Sequence, residues 1–213
     1  ELLMREFQDR GKPVIYDVDD WLFGIPPSWD CYGDYYHRGH ARPTPTLRFH
    51  ERMLRQADMV TCTTNHLRER LLAYNRNVRV IPNCVLWADW DIVLPFGKTL
   101  DRPVEGWFGL PYHWDTWRVL ADAVEAAVLE ADIYLAILGF PEVVQAFSPE
   151  LAERTIVQPM VPWADFHTMR RMIGSFDLGL CWLEDTAFNR CKSPLRALQS
   201  VSYTHLRAHE TSL

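Results

Sequence analysis

Twice along this chain, short apolar runs rich in β-branched residues alternate with amphipathic helical stretches, and this alternation constrains the fold more than any other feature. In the first series Val14–Tyr16, Met59–Cys62 and Val78–Ile81 read as strands, with helices over Leu47–Ala57 and Asn65–Tyr74. After Pro82 and Asn83 the pattern lapses, and the irregular stretch through Pro95 and Gly97 to Pro103 reads as a linker. The second series offers strands at Val104–Phe108, Ile133–Leu138, Thr155–Val157 and Phe176–Leu183. Its helices run from an Asp115 cap to about Ala131 and over Ala164–Ile173. Strands joined through helices pair in parallel, so two such runs imply an α/β chain with two parallel-sheet layers. Ligands of such sheets bind at the carboxyl ends of the strands.

Composition excludes several classes. A core is within reach, since 48% of the 213 residues are hydrophobic and 13% aromatic. A net charge of −6 argues against a sequence-independent nucleic-acid binder, which needs clustered positive charge. No apolar run approaches the ~20 residues of a membrane span. Cys31, Cys62, Cys84, Cys181 and Cys191 are odd in number and show no Cys-x-x-Cys spacing, which reads as reduced, mostly buried thiols of a cytoplasmic protein and gives no zinc signal.

The stretch after the last strand carries the strongest chemical signal. Ser193 directly precedes Pro194, placing a capping hydroxyl before a proline at the expected first helical position. Free backbone N–H groups and the positive dipole end gather at such a terminus, and Lys192, Asn189 and Ser193 add a cation and hydrogen-bonding side chains. The loop therefore suits a phosphate or pyrophosphate; the plainer reading is a capped helix with a solvated lysine. Lysine is scarce here, with Lys12, Lys98 and Lys192 against 19 arginines, so a lysine in this loop points to a need for a compact point charge.

Several segments taken in order carry a family resemblance. They are Val14–Pro27 with its Asp17-Val-Asp-Asp20 cluster, Ala57–Thr64, Val80–Asn83, Glu105–Gly109 followed by His113 and Asp115, Phe176–Leu180, and Phe188–Ser193. Together they resemble GT-B-fold glycosyltransferases, in particular the family 1/family 4-like bacterial enzymes. The resemblance implies two Rossmann-like domains, both incomplete. Residues 1–95 would be the later part of the acceptor-side domain, 96–103 the linker, and 104–200 a truncated donor domain. Residues 201–213 resemble translated sequencing adapter and are expected to be non-native, packing against nothing. The alternative is a genuine polar helix.

The resemblance also implies a function: transfer of a sugar, with retention, from a nucleoside-diphosphate-sugar donor to a glycan, lipid-linked or small-molecule acceptor. It implies no cofactor or metal, and no nucleic-acid partner, while leaving room for peripheral membrane association of a full-length protein. The fragment itself is expected to be inactive. Gly109 and His113 would lie by the donor, and Asn189, Lys192 and Ser193 would face the diphosphate and transferred sugar. Lys192, Asp17 and Asp20 are the catalytic candidates. Met160–Trp163 would hold the base or belong to the core. Relatives carry a ribose-binding glutamate seven residues after the lysine; here the position is Gln199, whose amide bonds a diol without charge assistance. Many relatives end the first acceptor-side strand in His-Asp, and this chain offers no equivalent histidine.

Two other classes compete. Asp17 and Asp19 after an apolar strand resemble the first motif of haloacid-dehalogenase-type phosphatases, although Trp21 stands where that family has threonine and no convincing second acidic pair follows. The plainest reading makes these acids caps of a turn. A non-catalytic GT-B-like carbohydrate-binding module is the second alternative. His37, His40, His50, His66, His113 and His167 share no spacing that suggests a metal site. Trp107, Trp114 and Trp117 either stack on a sugar or, as their placement in and near a strand and helix start favours, pack in the core.

Overall fold

The computed structural model describes residues 2–29, 31–86, 100–110, 114–159 and 165–200. His113, Met160–Trp163, residues 96–99 of the expected linker and the 201–213 tail lie outside them. The chain divides into two compact units. The first takes the described residues of 1–83 together with 184–194, and the second those of 84–183 and 195–200.

The first unit begins with helix α1 (Leu2–Asp9) and strand β1 (Ile15–Val18). A short helix α2 (Tyr32–Tyr35) then leads into a tight hairpin of β2 (Tyr36–His37) and β3 (Arg42–Pro43). Helix α3 (Pro45–Gln56) follows, started by Thr44 with Pro45 in the first turn, where a missing N–H costs nothing. Strand β4 (Met59–Cys62), helix α4 (Asn65–Leu71) and strand β5 (Val78–Val80) complete the series. The sheet is parallel in the order β1-β4-β5, with Asp17 opposite Thr61 and Cys62 opposite Val80. Val18, Leu54, Val60, Cys62, Leu67, Leu71 and Val78 form its core, and Cys191 joins them from the distant 184–194 segment.

The second unit runs β6 (Val104–Phe108), α5 (Trp114–Glu130), β7 (Tyr134–Leu138), α6 (Pro149–Glu153), β8 (Thr155–Gln158), α7 (Phe166–Ile173) and β9 (Leu178–Gly179). All strands are parallel, in the order β8-β7-β6-β9. The pleat sends successive side chains of β7 to opposite faces, and each face has its own core. Leu135 and Ile137 pack with Trp117, Val124, Val128 and Leu151, while Tyr134, Ala136 and Leu138 pack with Met169, Ile173 and Phe176. A parallel sheet covered on both faces is the doubly wound arrangement that the sequence pattern implies. Trp107 and Trp117 are buried and meet edge to face at 5.4 Å, which decides for the core over sugar stacking at these two positions.

Three expectations need correction. Phe176–Leu183 does not form one buried strand: only Leu178 and Gly179 pair, on the edge of the sheet, and Leu178 is exposed. With one neighbour instead of two, an apolar run has a single ladder to hold it. Strand β1 extends to Val18, so Asp17 lies inside the sheet and not in the loop beyond it. The final helical run starts at residue 195, one position later than the Ser193-Pro194 signal indicates. Only Cys62 and Cys191 are buried among the five thiols, all of which are free. No described helix is long and apolar enough to cross a membrane.

Candidate functional site

The three parallel strands of the first unit end on one edge, and the residues just past each strand are bonded to one another there. Asp19 follows β1, Thr63 and Thr64 follow β4, and Asn83 follows β5. Thr63 Oγ1 donates to the Asp19 carbonyl at 3.3 Å, and Asn83 Nδ2 donates to Asp19 Oδ1 at 3.1 Å. One position inside the sheet, Thr61 Oγ1 donates to the Asp17 carboxylate across the β1–β4 pair.

The 184–194 segment is fastened to this edge. Thr64 Oγ1 donates to the Cys191 carbonyl at 2.9 Å and also caps α4 by accepting from Leu67 N–H at 3.1 Å. Asn83 Nδ2 donates to Ser193 Oγ at 2.9 Å. Buried Phe188 and Cys191 anchor the segment from below, and burial pushes the Cys191 thiol up from its ordinary value.

Lys192 is thereby delivered to the acidic cluster. Its ammonium lies 3.1 and 3.3 Å from the two carboxylate oxygens of Asp20. The same nitrogen sits 4.8 Å from the Phe188 ring centre and 5.7 Å from that of Trp29, near enough for cation–π attraction. The lysine side chain is 22% exposed and that of Asp20 37%, so the pair faces water on one side and remains open to a ligand.

Asn189 has a structural task as well: its Nδ2 donates to the Glu184 carbonyl at 2.9 Å and its backbone N–H to Thr186 Oγ1 at 3.1 Å, which shapes the loop. Its Oδ1 is buried without a partner among the described residues. Asp17, Asp20, Asn189, Lys192 and Ser193 thus fall in one unit, around the carboxyl edge of one sheet. The sequence reading placed the last three in a 104–200 donor domain; their contacts group them with the first unit.

Gly109 and Gln199 fall in the second unit. Gly109 follows β6, and its N–H donates to the Leu138 carbonyl at 3.0 Å. A Cβ there would lie 2.6 Å from the Trp107 ring and 3.2 Å from the Arg196 guanidinium, so close packing alone requires glycine. Arg196 lies over the Trp107 and Phe108 rings at 5.3 and 5.8 Å, and burial draws its guanidinium below the ordinary arginine range. Glu105, in β6, is buried, which pushes its carboxyl up. Gln199 lies in the final helical run, half-buried.

The sequence reading missed Asn83, Thr64 and Trp29 as parts of the site. The first two had a signal, since polar residues directly after an apolar run sit at the carboxyl edge of a parallel sheet; Trp29 had none. Among the described residues no group of three or more His, Cys, Asp or Glu could hold a metal ion.

No family model matches the chain, and no curated protein does. Solved structures similar in backbone include the following two. The crystal structure of TarM is 11% identical, with 79% of this chain covered and a TM-score of 0.49. That of a glycosyltransferase from Rickettsia africae ESF-5 is 10% identical, with 99% of this chain and 78% of the other covered, again at 0.49. The chain spans 31% of TarM.

Proposed function

We propose that this chain is part of a GT-B-type glycosyltransferase that moves a sugar from a nucleoside-diphosphate donor to a glycan, lipid-linked or small-molecule acceptor. The observation that carries the reading is the partly exposed Lys192 ammonium, held by Asp20 and two aromatic rings where three parallel strands end. A diphosphate leaving group gathers negative charge as the glycosidic bond breaks, and a positioned cation stabilises that charge more in the transition state than before it. Asn83 and Ser193 beside the lysine supply further hydrogen-bonding groups. No metal is required in this scheme, because the ammonium takes the part a divalent ion plays elsewhere. Asp20 orients the lysine until the donor arrives, and then stands as a carboxylate near the reacting sugar. The phosphatase reading is less well supported, since Asp17 and Asp19 already accept hydrogen bonds from Thr61 and Asn83.

Saturation-transfer NMR against a panel of UDP-, GDP- and ADP-sugars tests the binding, and release of nucleoside diphosphate tests the transfer. Binding that depends on Lys192 is expected. Lys192-dependent binding without diphosphate release, in the protein expressed from its source gene, would favour the non-catalytic carbohydrate-binding module. Absence of binding to every donor in the panel would overturn the reading.

A further inference from the structure

The β2–β3 hairpin carries chemistry that the sheet edge does not use. Tyr35 to His50 contains Arg38, Arg42, Arg48 and three histidines without one aspartate or glutamate, in a chain whose net charge is −6. Within the hairpin His37 and Arg42 are direct cross-strand partners. His40 N–H donates to the His37 carbonyl at 3.1 Å and closes the turn between them. The three side chains line a cavity of about 550 Å³. All three residues are exposed, and among the described residues their side chains make no ion pair or hydrogen bond.

From this we infer a second ligand site, in which His37, His40 and Arg42 hold the phosphate group of a small phosphorylated molecule of about sugar size. A guanidinium presents two parallel N–H groups to an oxyanion, and two imidazoles on the same turn supply one donor each. A phosphate monoester has three terminal oxygens to meet them, one more than a carboxylate. The hollow is open to solvent and mainly apolar in its lining, with room beside a phosphate for the ring of a sugar. A hard divalent cation such as magnesium or calcium fits poorly, since these ions seek carboxylates and the hairpin has none. Lys192 is not among its described lining residues, and the inference does not depend on the reaction proposed above.

The test uses α-glucose 1-phosphate, with glucose as the neutral comparison, on the chain as it stands. Binding is followed by calorimetry and by the imidazole C–H signals of His37 and His40, assigned through His37→Gln and His40→Gln. Glucose 1-phosphate should bind and move both signals while glucose does not. Arg42→Gln should weaken binding about tenfold, the effect of losing a charge-assisted pair, and Arg42→Lys should restore part of it. Lys192→Ala should leave this binding unchanged. His40→Gln serves as the second variant should Arg42→Gln alter the circular dichroism. Equal binding of glucose and its phosphate, unmoved imidazole signals, or a loss in Lys192→Ala matching that in Arg42→Gln would each overturn the inference.

Discussion

Lys192 Nζ lies within 3.3 Å of both carboxylate oxygens of Asp20, 172 residues earlier in the chain. An anionic ligand must share the ammonium with this carboxylate, so the two residues should respond differently to mutation. Asp20→Asn frees the cation and should tighten nucleoside-diphosphate binding a few-fold while lowering transfer, in the protein expressed from its source gene. Lys192→Ala should cost turnover a factor on the order of a hundred, with partial rescue by Lys192→Arg. Both should melt within a few degrees of the parent, because a partly exposed pair contributes about 1 kcal/mol or less. Calorimetry, single-turnover transfer and thermal melting separate these effects. Weaker binding by Asp20→Asn would show that its carboxylate helps build the site and does not compete for the lysine.

A second prediction concerns His50, which is buried on α3 with its Nδ1 2.8 Å from the Tyr16 hydroxyl. Burial lowers its pKa from 6.5 to about 4. The unfolded chain therefore binds a proton on His50 between those values that the folded chain refuses, and stability falls as pH drops through that window. The shift corresponds to a loss of about 3 kcal/mol by the lower end. His50→Leu should flatten this part of the profile. Urea unfolding of both proteins at pH 7 and pH 4.5 measures it, and parallel slopes would mean that His50 takes up its proton without penalty.

Much of the fold was legible because local pattern and tertiary outcome agree. Met59–Cys62 is a strand to the residue, and Val104–Phe108 likewise. Both lie inside a sheet, with a neighbour on each side enforcing the apolar run. Phe176–Leu183 has the same composition but lies on an edge, and composition does not encode position in a sheet. The β2–β3 hairpin was missed because His37, Arg38, Gly39 and His40 show no apolar alternation. The lysine loop stands out in the sequence by its residue types, whereas its docking does not, since Thr64 to Cys191 and Asn83 to Ser193 are contacts across more than a hundred residues that no local window contains.

Gly106 in β6 and Gly109 just after it offer a third prediction. A Cβ at Gly106 would lie 2.0 Å from the Phe176 ring, and one at Gly109 would lie 2.6 Å from Trp107. Gly106→Ala must displace a buried phenylalanine and Gly109→Ala a buried tryptophan, and overpacking of this kind typically costs about 1–3 kcal/mol. Denaturant unfolding should show both losses. If Gly109 also approaches the donor, Gly109→Ala should weaken nucleotide-sugar binding beyond what Gly106→Ala does at matched fraction folded. Equal binding would leave packing as the whole reason for that glycine.

The last prediction follows from the double duty of Thr64, which caps α4 through Leu67 N–H and holds the 184–194 segment through the Cys191 carbonyl. Thr64→Ala removes both bonds; Thr64→Ser keeps both and loses only a methyl group. Loss of a threonine cap costs about 1 kcal/mol, and the Cys191 carbonyl would lose its hydroxyl partner as well. With the tie gone, the segment opens locally more often than the unit unfolds, and a protease samples such openings. Arg190 lies on this segment and is exposed, paired at 2.6 Å with Asp185 on the same loop. Trypsin should therefore cut after Arg190 several-fold faster in Thr64→Ala than in Thr64→Ser, under conditions where both stay folded by circular dichroism. Mass spectrometry of the first fragments identifies the site. If cleavage instead accelerates uniformly at all arginines, the threonine supports the unit as a whole, and the lysine loop is held by its buried Phe188 and Cys191 alone.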